Sequence, residues 1–204
     1  LKTGVRLEVG HSEKQKDYVF WKYDELSELV GAVPHYLEIA DKRLLKRYQQ
    51  WRFKTLIHPC LTDMHNLLYS EKKKIISREI FSLLQSPLSL AVWFMDDGGR
   101  RNDCYGLFLN TLSFTKEEHI LLSQVLKQNF ALDSRIHWIQ DGYRLYIPSH
   151  HAKHFCELVH PFMIPSMMYK LSFNPVTTSF ARLMRARDMP QRRIKRWCPS
   201  RNEG

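Results

Sequence analysis

The stretch LSLAVWFMDDGGRRN, residues 88–102, places two adjacent carboxylates directly after a nearly continuous apolar run. Ser86 and Pro87 precede it and predict a helix start, because a serine oxygen caps free backbone N–H groups and proline is tolerated at the first helical position. The apolar residues cover every face of the next two turns, which predicts a helix buried all round. The glycines at 98–99 are expected to end this helix in the left-handed conformation of a C-cap.

The two acids occupy an unfavourable position for their charge. Asp96 and Asp97 lie at the carboxyl end of the predicted helix, where the macrodipole is already negative and an acid is disfavoured by about 0.3–1 kcal/mol. We therefore expect positive charge nearby. Arg100 and Arg101 would supply it locally, whereas a divalent cation would supply it for a function, because hard cations take oxygen ligands. Position alone favours the local arginines and leaves the metal open.

Composition bounds the class of protein. The 204 residues are 44% apolar and 12% aromatic, which suits a packed core in one large domain or two small ones. No apolar run approaches the roughly 18 residues of a membrane helix, so we expect no membrane partner. The net charge of +10 predicts a polyanionic partner. Four scattered cysteines without a CxxC pair are interpreted as reduced, intracellular thiols: Cys60, Cys104, Cys156 and Cys198.

An internal repeat organises the chain. Each copy contains a strand, a turn and an amphipathic helix, then a second strand and a second helix. These elements fall at 4–26, 49–59 and 61–69 in the first copy and at 105–130, 141–151 and 152–160 in the second. The period of about 90–100 residues is too long for a solenoid and suits a duplicated α/β half-domain. The helix with the acids precedes the second copy, and the same offset places its counterpart upstream of Leu1.

The order of these motifs resembles the LAGLIDADG homing endonucleases, in the branch written with a WFMDDG motif. LAVWFMDDG at 90–98 lies over the nine-residue family motif, and Asp97 takes the place of its final acid. LNTLSFTKEE at 109–118, YRLYIP at 143–148 and IPSMMYKL at 164–171 follow in the family order. The resemblance covers residues 4 to 171.

The resemblance implies a mixed α/β (α+β) fold with two pseudo-symmetric αββαββα halves and saddle-shaped antiparallel sheets. The first half, 1–86, would lack its motif helix, the second would span 87–171, and 172–204 would form an added basic arm. Three explanations of the missing helix stay open. The protein is longer, another chain completes the central helix pair, or catalysis has been lost.

The same resemblance implies a site and a cofactor. Asp97 is expected to be the catalytic, metal-binding acid, with Asp96 as a further Mg²⁺ ligand and Lys170 in catalytic support. Glu8 is the first acid of the chain and lies in a predicted strand, so it is no substitute for the missing motif acid.

The candidate nucleic-acid contacts come from strands and from the arm. Polar residues that alternate with apolar ones project to one face of a sheet, which predicts contacts from Arg6, Glu8, Arg52, Lys54, Asn110, Arg144 and Tyr146. The tail from Phe180 has eight basic and two acidic residues, and its candidate contacts are Arg192, Arg193, Lys195 and Arg196.

Two functions stay open. The first is a site-specific, Mg²⁺-dependent DNA endonuclease, provided that a second motif acid is supplied. The alternative is a catalytically inactive RNA-binding protein. It would act as a maturase-like splicing cofactor or as a structural component of an organellar ribonucleoprotein such as the mitochondrial ribosome. Either function suggests the mitochondrion or the chloroplast.

Overall fold

A three-stranded sheet forms most of the first half. The computed structural model describes residues 4–41 and 46–171, and this half contains β1 (Glu8–Ser12), α1 (Lys16–Glu25), β2 (His35–Asp41), β3 (Lys46–Lys54) and α2 (Pro59–Leu68). The first sheet is antiparallel in the order β1-β3-β2. Val9 lies opposite Phe53, and both are buried in a small core with Val19 of α1. The alternate residues of β1 and β3 form the open face of this sheet.

A four-stranded antiparallel sheet forms the second half, in the order β6-β7-β9-β8. The elements are α4 (Pro87–Asp97), β6 (Gly98–Arg100), β7 (Leu107–Leu109), α5 (Lys116–Phe130), β8 (Arg135–Ile139), β9 (Gly142–Ile147) and α6 (Ser149–Val159). Leu107, Leu109, Leu145 and Ile147 are fully buried on its helix-covered face. Phe108, Arg144 and Tyr146 alternate with them on its open face.

Short elements connect the two halves. β4 (Tyr69–Ser70) and β5 (Lys73–Lys74) form a hairpin, and α3 (Ile80–Leu83) follows it. The Asn129 side chain of α5 donates to the carbonyls of Phe81 and Leu84 at 3.0 and 2.7 Å, which ties α3 to the second half. Single turns of 3₁₀ helix cover Glu13–Gln15, Ser27–Leu29 and His160–Phe162, and a longer one covers Pro165–Lys170.

Helix α4 begins as predicted. The Ser86 hydroxyl accepts a hydrogen bond from the Leu88 N–H at 3.2 Å, and Pro87 occupies the first helical position. One face of the helix is fully buried, and Phe94 packs edge-on against Phe155 of α6 with a centroid separation of 4.9 Å. The predicted burial on every side is wrong, because Val92 and its neighbours on the opposite face line an open groove.

The glycines after α4 are needed because they have no side chain, and not because they adopt a left-handed conformation. Gly98 has φ −87° and ψ 163°, which any residue adopts, so the predicted C-cap geometry is wrong. A Cβ at Gly98 would lie 2.1 Å from Cδ2 of Phe94 and 2.5 Å from its carbonyl oxygen. The chain therefore needs glycine there to turn from α4 directly into β6.

The two halves bury very different amounts of apolar surface. α6 buries four residues against α4 and the second sheet, including Phe155 and Val159. Its counterpart in the repeat, α2, buries none, and Met64 and Leu67 on it are 42% and 38% exposed. Within residues 4–41 and 46–171 no helix precedes β1, so no described element covers α2 as α4 covers α6. None of the described helices is long and apolar enough to cross a membrane.

Candidate functional site

The carboxyl end of α4 meets the first half of the chain through Asp96. Lys22 of α1 donates from Nζ to both carboxylate oxygens of Asp96, at 2.7 and 2.9 Å. His11 of β1 places Nε2 3.5 Å from the same carboxylate. The expected local neutralisation by Arg101 is wrong, because the Arg101 guanidinium binds Asp103 through two hydrogen bonds of 2.8 and 2.7 Å.

Lys22 is held in this position from several sides. Its Nζ lies 4.2 Å from the ring centroid of Tyr18 and 3.2 Å from Nε2 of His11. The Tyr18 hydroxyl in turn donates to the carbonyl of Val92 on α4 at 3.3 Å. Burial lowers the pKa of His11, and the nearby Lys22 ammonium lowers it further. The imidazole therefore does not compete with Lys22 as a second cation for Asp96. Lys22 is therefore the principal cation for Asp96.

Asp97 differs from its neighbour in having a carboxylate without a partner among the described residues. Its backbone carbonyl accepts from the Asn110 N–H at 2.8 Å, which places it beside the end of β7. Within the described part of the chain its side chain makes no hydrogen bond or ion pair, although Lys74 and Lys170 lie near enough to act on it. Burial first, and then the Asp96 charge, raises the pKa of Asp97. Such a carboxylate is available to a divalent metal cation that binds together with a second molecule.

Lys170 lies against the end of α4. Its ammonium donates to the carbonyl of Met95 and, at 3.1 Å, to the carbonyl of Asp96. A cation there compensates the negative end of the helix macrodipole. Burial lowers the pKa of Lys170, while the charges of the two acids oppose that shift. The structure thus brings Lys170 to the predicted site, beside the acids.

An open groove of about 910 Å³ runs along the uncovered face of α4. β1 and α1 form its other wall, and both acids lie at its edge. Its lining is mainly apolar, with contributions from Leu7, Val9, Trp21, Leu26, Leu88, Val92 and Trp93. Lys74 of β5 also reaches the groove on the side of Asp97.

The open face of the first sheet carries three predicted contact residues in one cluster. Glu8 of β1 accepts from Arg52 Nη1 at 2.6 Å and from Lys54 Nζ at 3.2 Å. Lys54 and Arg52 thereby hold the pKa of Glu8 below its usual range. Arg6, also predicted, is exposed and precedes β1.

The open face of the second sheet carries stacked cations and rings. The Arg144 guanidinium lies 4.3 Å from the ring centroid of Phe108. His137 stacks on Tyr146 with a centroid separation of 4.9 Å, and the Arg101 guanidinium lies 5.5 Å from the same ring. Burial lowers the pKa of Arg144 and of His137, and neighbouring arginines add to both shifts.

The remaining predicted residues fall outside these clusters. Asn110 is exposed just after β7, beside Asp97. The candidates of the basic arm lie outside the described residues: Arg192, Arg193, Lys195 and Arg196. Lys22 and His11 were missed by sequence reasoning, because nothing in their own segments predicts a contact with an acid at least 74 residues away. Among the described residues, no group of three or more His, Cys, Asp or Glu side chains is placed to hold a metal ion.

Comparison with known proteins gives consistent matches. The model of the LAGLIDADG DNA endonuclease family matches residues 1–155. The chain is similar to probable intron-encoded endonuclease 1 of Wickerhamomyces canadensis, with 35% identity over 129 residues that cover 61% of this chain and 56% of that protein. It is also similar to cytochrome b mRNA maturase bI2 of Debaryomyces hansenii, with 34% identity over 122 residues that cover 59% of this chain and 45% of that protein.

A solved structure agrees with these sequence matches. The homing endonuclease I-WcaI bound to its DNA recognition sequence superposes with a TM-score of 0.77 and 31% identity, over 85% of this chain and 79% of that one. The present chain spans about half the length of these two curated relatives.

Proposed function

Because this chain belongs to the LAGLIDADG DNA endonuclease family, we propose that it binds nucleic acid at the open faces of its two sheets and derives from a Mg²⁺-dependent, site-specific DNA endonuclease. Arg52 and Lys54 would act on the first face, and Arg144 and Tyr146 on the second. Such basic side chains neutralise phosphates, and arginine also reads guanine in the major groove. The observation that carries the endonuclease descent is the Asp97 carboxylate beside the end of β7, which has no hydrogen-bond or ion-pair partner among the described residues.

Asp97 fits one carboxylate of a magnesium site. Mg²⁺ keeps several waters and binds through one or two carboxylates together with substrate phosphates. When bound, such an ion stabilises charge on the scissile phosphate and acidifies a bound water. Asp96 fits less well, because both of its oxygens are bound by Lys22. We therefore assign Asp97 as the metal ligand and Asp96 as the residue that fixes the end of α4 against α1.

The lysines around the two acids hold this end of the molecule together. Lys22 compensates Asp96, and Lys170 compensates the terminal carbonyls of α4. Both ammonium groups keep positive charge beside Asp97, where a phosphate of the bound nucleic acid would lie. Lys170 therefore supports the site by orienting the helix end and attracting the phosphate.

We also propose that the groove along α4 receives a second apolar helix, either from an upstream segment or from another chain. The uncovered face of α4 borders the groove, and α2 leaves the apolar side chains of Met64 and Leu67 exposed. In the second half the equivalent space is filled by α4 itself, packed on α6. A helix seated there and ending in an acid would complete a pair with Asp97.

The metal assignment is tested with Mn²⁺ as a spectroscopic substitute for Mg²⁺. Complexes with a 40-bp duplex pool of random sequence are titrated with Mn²⁺, and the bound ions are counted by electron paramagnetic resonance. The Asp97→Asn variant is expected to lose one ion while binding the pool. Asp141→Asn, an exposed aspartate in the β8–β9 turn, is the matched control. An unchanged ion count in Asp97→Asn contradicts the assignment.

The second candidate is a catalytically inactive RNA-binding protein that acts as a splicing cofactor or in an organellar ribonucleoprotein. Similarity to the cytochrome b mRNA maturase of Debaryomyces hansenii favours it. The names of these relatives, an intron-encoded endonuclease and a cytochrome b mRNA maturase, support the mitochondrion or the chloroplast as the compartment. Sedimentation of the native protein with and without RNase separates the two functions. Co-migration with an RNA particle that RNase abolishes supports the RNA function, and recovery of one duplex DNA site supports the endonuclease.

A further inference from the structure

We propose that Glu8 is a selectivity residue, which weakens the binding of arbitrary sequences and allows tight binding only where a base donates hydrogen bonds to its carboxylate. This inference rests on the proposed nucleic-acid binding. The inference goes beyond that proposal by assigning different roles to the two sheets. The second sheet anchors the ligand by charge, and the first sheet discriminates through Glu8.

Glu8 occupies the centre of the cationic cluster on the first sheet. Its backbone lies opposite Lys54 in the register of β1 and β3, and Arg52 is two residues further along β3. One carboxylate oxygen accepts from Arg52 Nη1 at 2.6 Å and the other from Lys54 Nζ at 3.2 Å. Both cations are therefore occupied by one acid before any ligand arrives. A phosphate that binds these cations must therefore compete with Glu8 and approach its negative charge.

The surroundings fix Arg52 in this arrangement. Arg52 lies across Gly10, where a Cβ would come within 3.3 Å of its Nε and 3.7 Å of its Cγ. Gln50 accepts from Arg52 Nη2 at 3.3 Å, on the other side from Glu8. The Arg52 Nε is buried and has no hydrogen-bond partner among the described residues. Glycine at position 10 thus lets the guanidinium pack against β1, between a carboxylate and an amide.

On the second sheet, the described acid near the open face, Asp103, pairs with Arg101 and not with Arg144 or Arg135. Arg144 is packed on Phe108, and neither it nor Arg135 forms an ion pair with a described carboxylate. The phosphates of a nucleic acid of any sequence can therefore approach Arg144 and Arg135 without displacing an acid. The electrostatic attraction of this face is independent of sequence.

The chemistry of a carboxylate defines the ligand that Glu8 accepts. A carboxylate accepts hydrogen bonds from the exocyclic amino group of cytosine or of adenine in the major groove, and it repels phosphates. If Arg52 and Lys54 bind the phosphates instead, a base edge that has only hydrogen-bond acceptors offers the Glu8 carboxylate no donor, and binding is disfavoured. Because every base pair carries one such amino group, the expected ligand is a duplex with cytosine or adenine on the one strand whose base edge faces Glu8.

The experiment compares Glu8→Gln with Glu38→Gln. Glu38 is a suitable matched control because it pairs with Arg47 at 3.4 Å on the same sheet but on the opposite face. The probe is the 40-bp duplex pool of random sequence, titrated between 50 and 200 mM salt. Glu8→Gln is expected to bind the pool about three- to tenfold more tightly, with a salt slope steeper by about 0.9 for each additional phosphate contacted. Glu38→Gln should stay within twofold of the wild type.

Selection from the same pool gives the second readout. The wild type is expected to enrich cytosine or adenine at one position of one strand, and Glu8→Gln to lose that preference while keeping the others. Glu8→Thr, which keeps a residue that favours strands, replaces Glu8→Gln if thermal unfolding shows the latter to be misfolded. Equal binding and equal preferences in the Glu8 variants and in Glu38→Gln would overturn the inference. A wild type that binds no nucleic acid would instead overturn the proposed function.

Discussion

The Nζ atom of Lys22 on α1 lies 2.7 and 2.9 Å from the two carboxylate oxygens of Asp96 at the end of α4. This pair joins residues 74 positions apart and links the two halves of the chain next to Asp97. Lys22 is 13% exposed and Asp96 33%, so water screens the pair only in part. The contact therefore both stabilises the junction and orients the helix end that carries Asp97.

Replacing Lys22 by methionine is expected to reduce the free energy of unfolding by about 1–2 kcal/mol, because a partly buried, charged hydrogen-bond pair is lost and Asp96 remains at a negative helix end. Urea unfolding measures the change. Lys127→Met removes the exposed pair with Asp133 and should cost less than about 0.5 kcal/mol. A double-mutant cycle with Asp96→Asn should give a favourable coupling energy. Additive single effects would show that the two side chains do not stabilise each other.

Gly98→Ala is expected to destabilise the protein by about 2–3 kcal/mol, because the added methyl group would overlap Phe94 in the fully packed end of α4. Thermal or urea unfolding measures the effect. Gly31→Ala is the control, since its Cβ would meet only the exposed side chain of Leu56, whose Cδ2 would be the nearest atom at 3.0 Å. Equal stability of the two variants would mean that the α4–β6 turn adapts to a side chain.

Local signals in the sequence predicted the elements whose structure depends on their own residues. The Ser86–Pro87 start of α4 and the LAGLIDADG homing-endonuclease-like fold are confirmed by the structure and the comparisons. The WFMDDG branch, the absent first motif helix and the limits at residues 86 and 171 stay predictions. So do the roles of the site residues.

Features that depend on tertiary contacts were not predicted. The αββαββα order implies a strand at the place of β2 and of β8, but no sequence pattern located their residues, although β2 pairs with β3 and β8 with β9 along most of their lengths. Asp96 pairs with Lys22, which is 74 residues away in the sequence. Glu8 of β1 pairs with Arg52 of β3, and only the pairing of these two strands brings the side chains together. The burial of α4 was overestimated because apolar composition alone does not show which neighbour covers each face.

The stability of the protein is expected to fall in weak acid partly through His137. Burial and the charges of Arg101, Arg135 and Arg144 hold the pKa of His137 below its usual value of 6.5. The unfolded chain then binds more protons than the folded one between these two pKa values, so stability falls as the pH drops through 6.5. The difference in unfolding free energy between pH 7.5 and 5.5 should be smaller in His137→Gln than in the wild type. His150→Gln, an exposed residue, is the control, and an unchanged difference in His137→Gln would contradict the prediction.

Arg144→Gln is expected to weaken the binding of random-sequence duplex about three- to fivefold at 50 mM salt and to reduce the salt slope by about 0.9, because one phosphate contact is lost. The reason is the position of Arg144, which is held on Phe108 on the open face without a carboxylate partner among the described residues. Fluorescence anisotropy with the 40-bp pool measures both quantities. Lys127→Gln removes the same charge from α5, where Lys127 is already paired with Asp133, and should change neither quantity by a comparable amount. If Lys127→Gln weakens binding as much as Arg144→Gln, the net charge of the protein and not the open face of the second sheet determines the affinity.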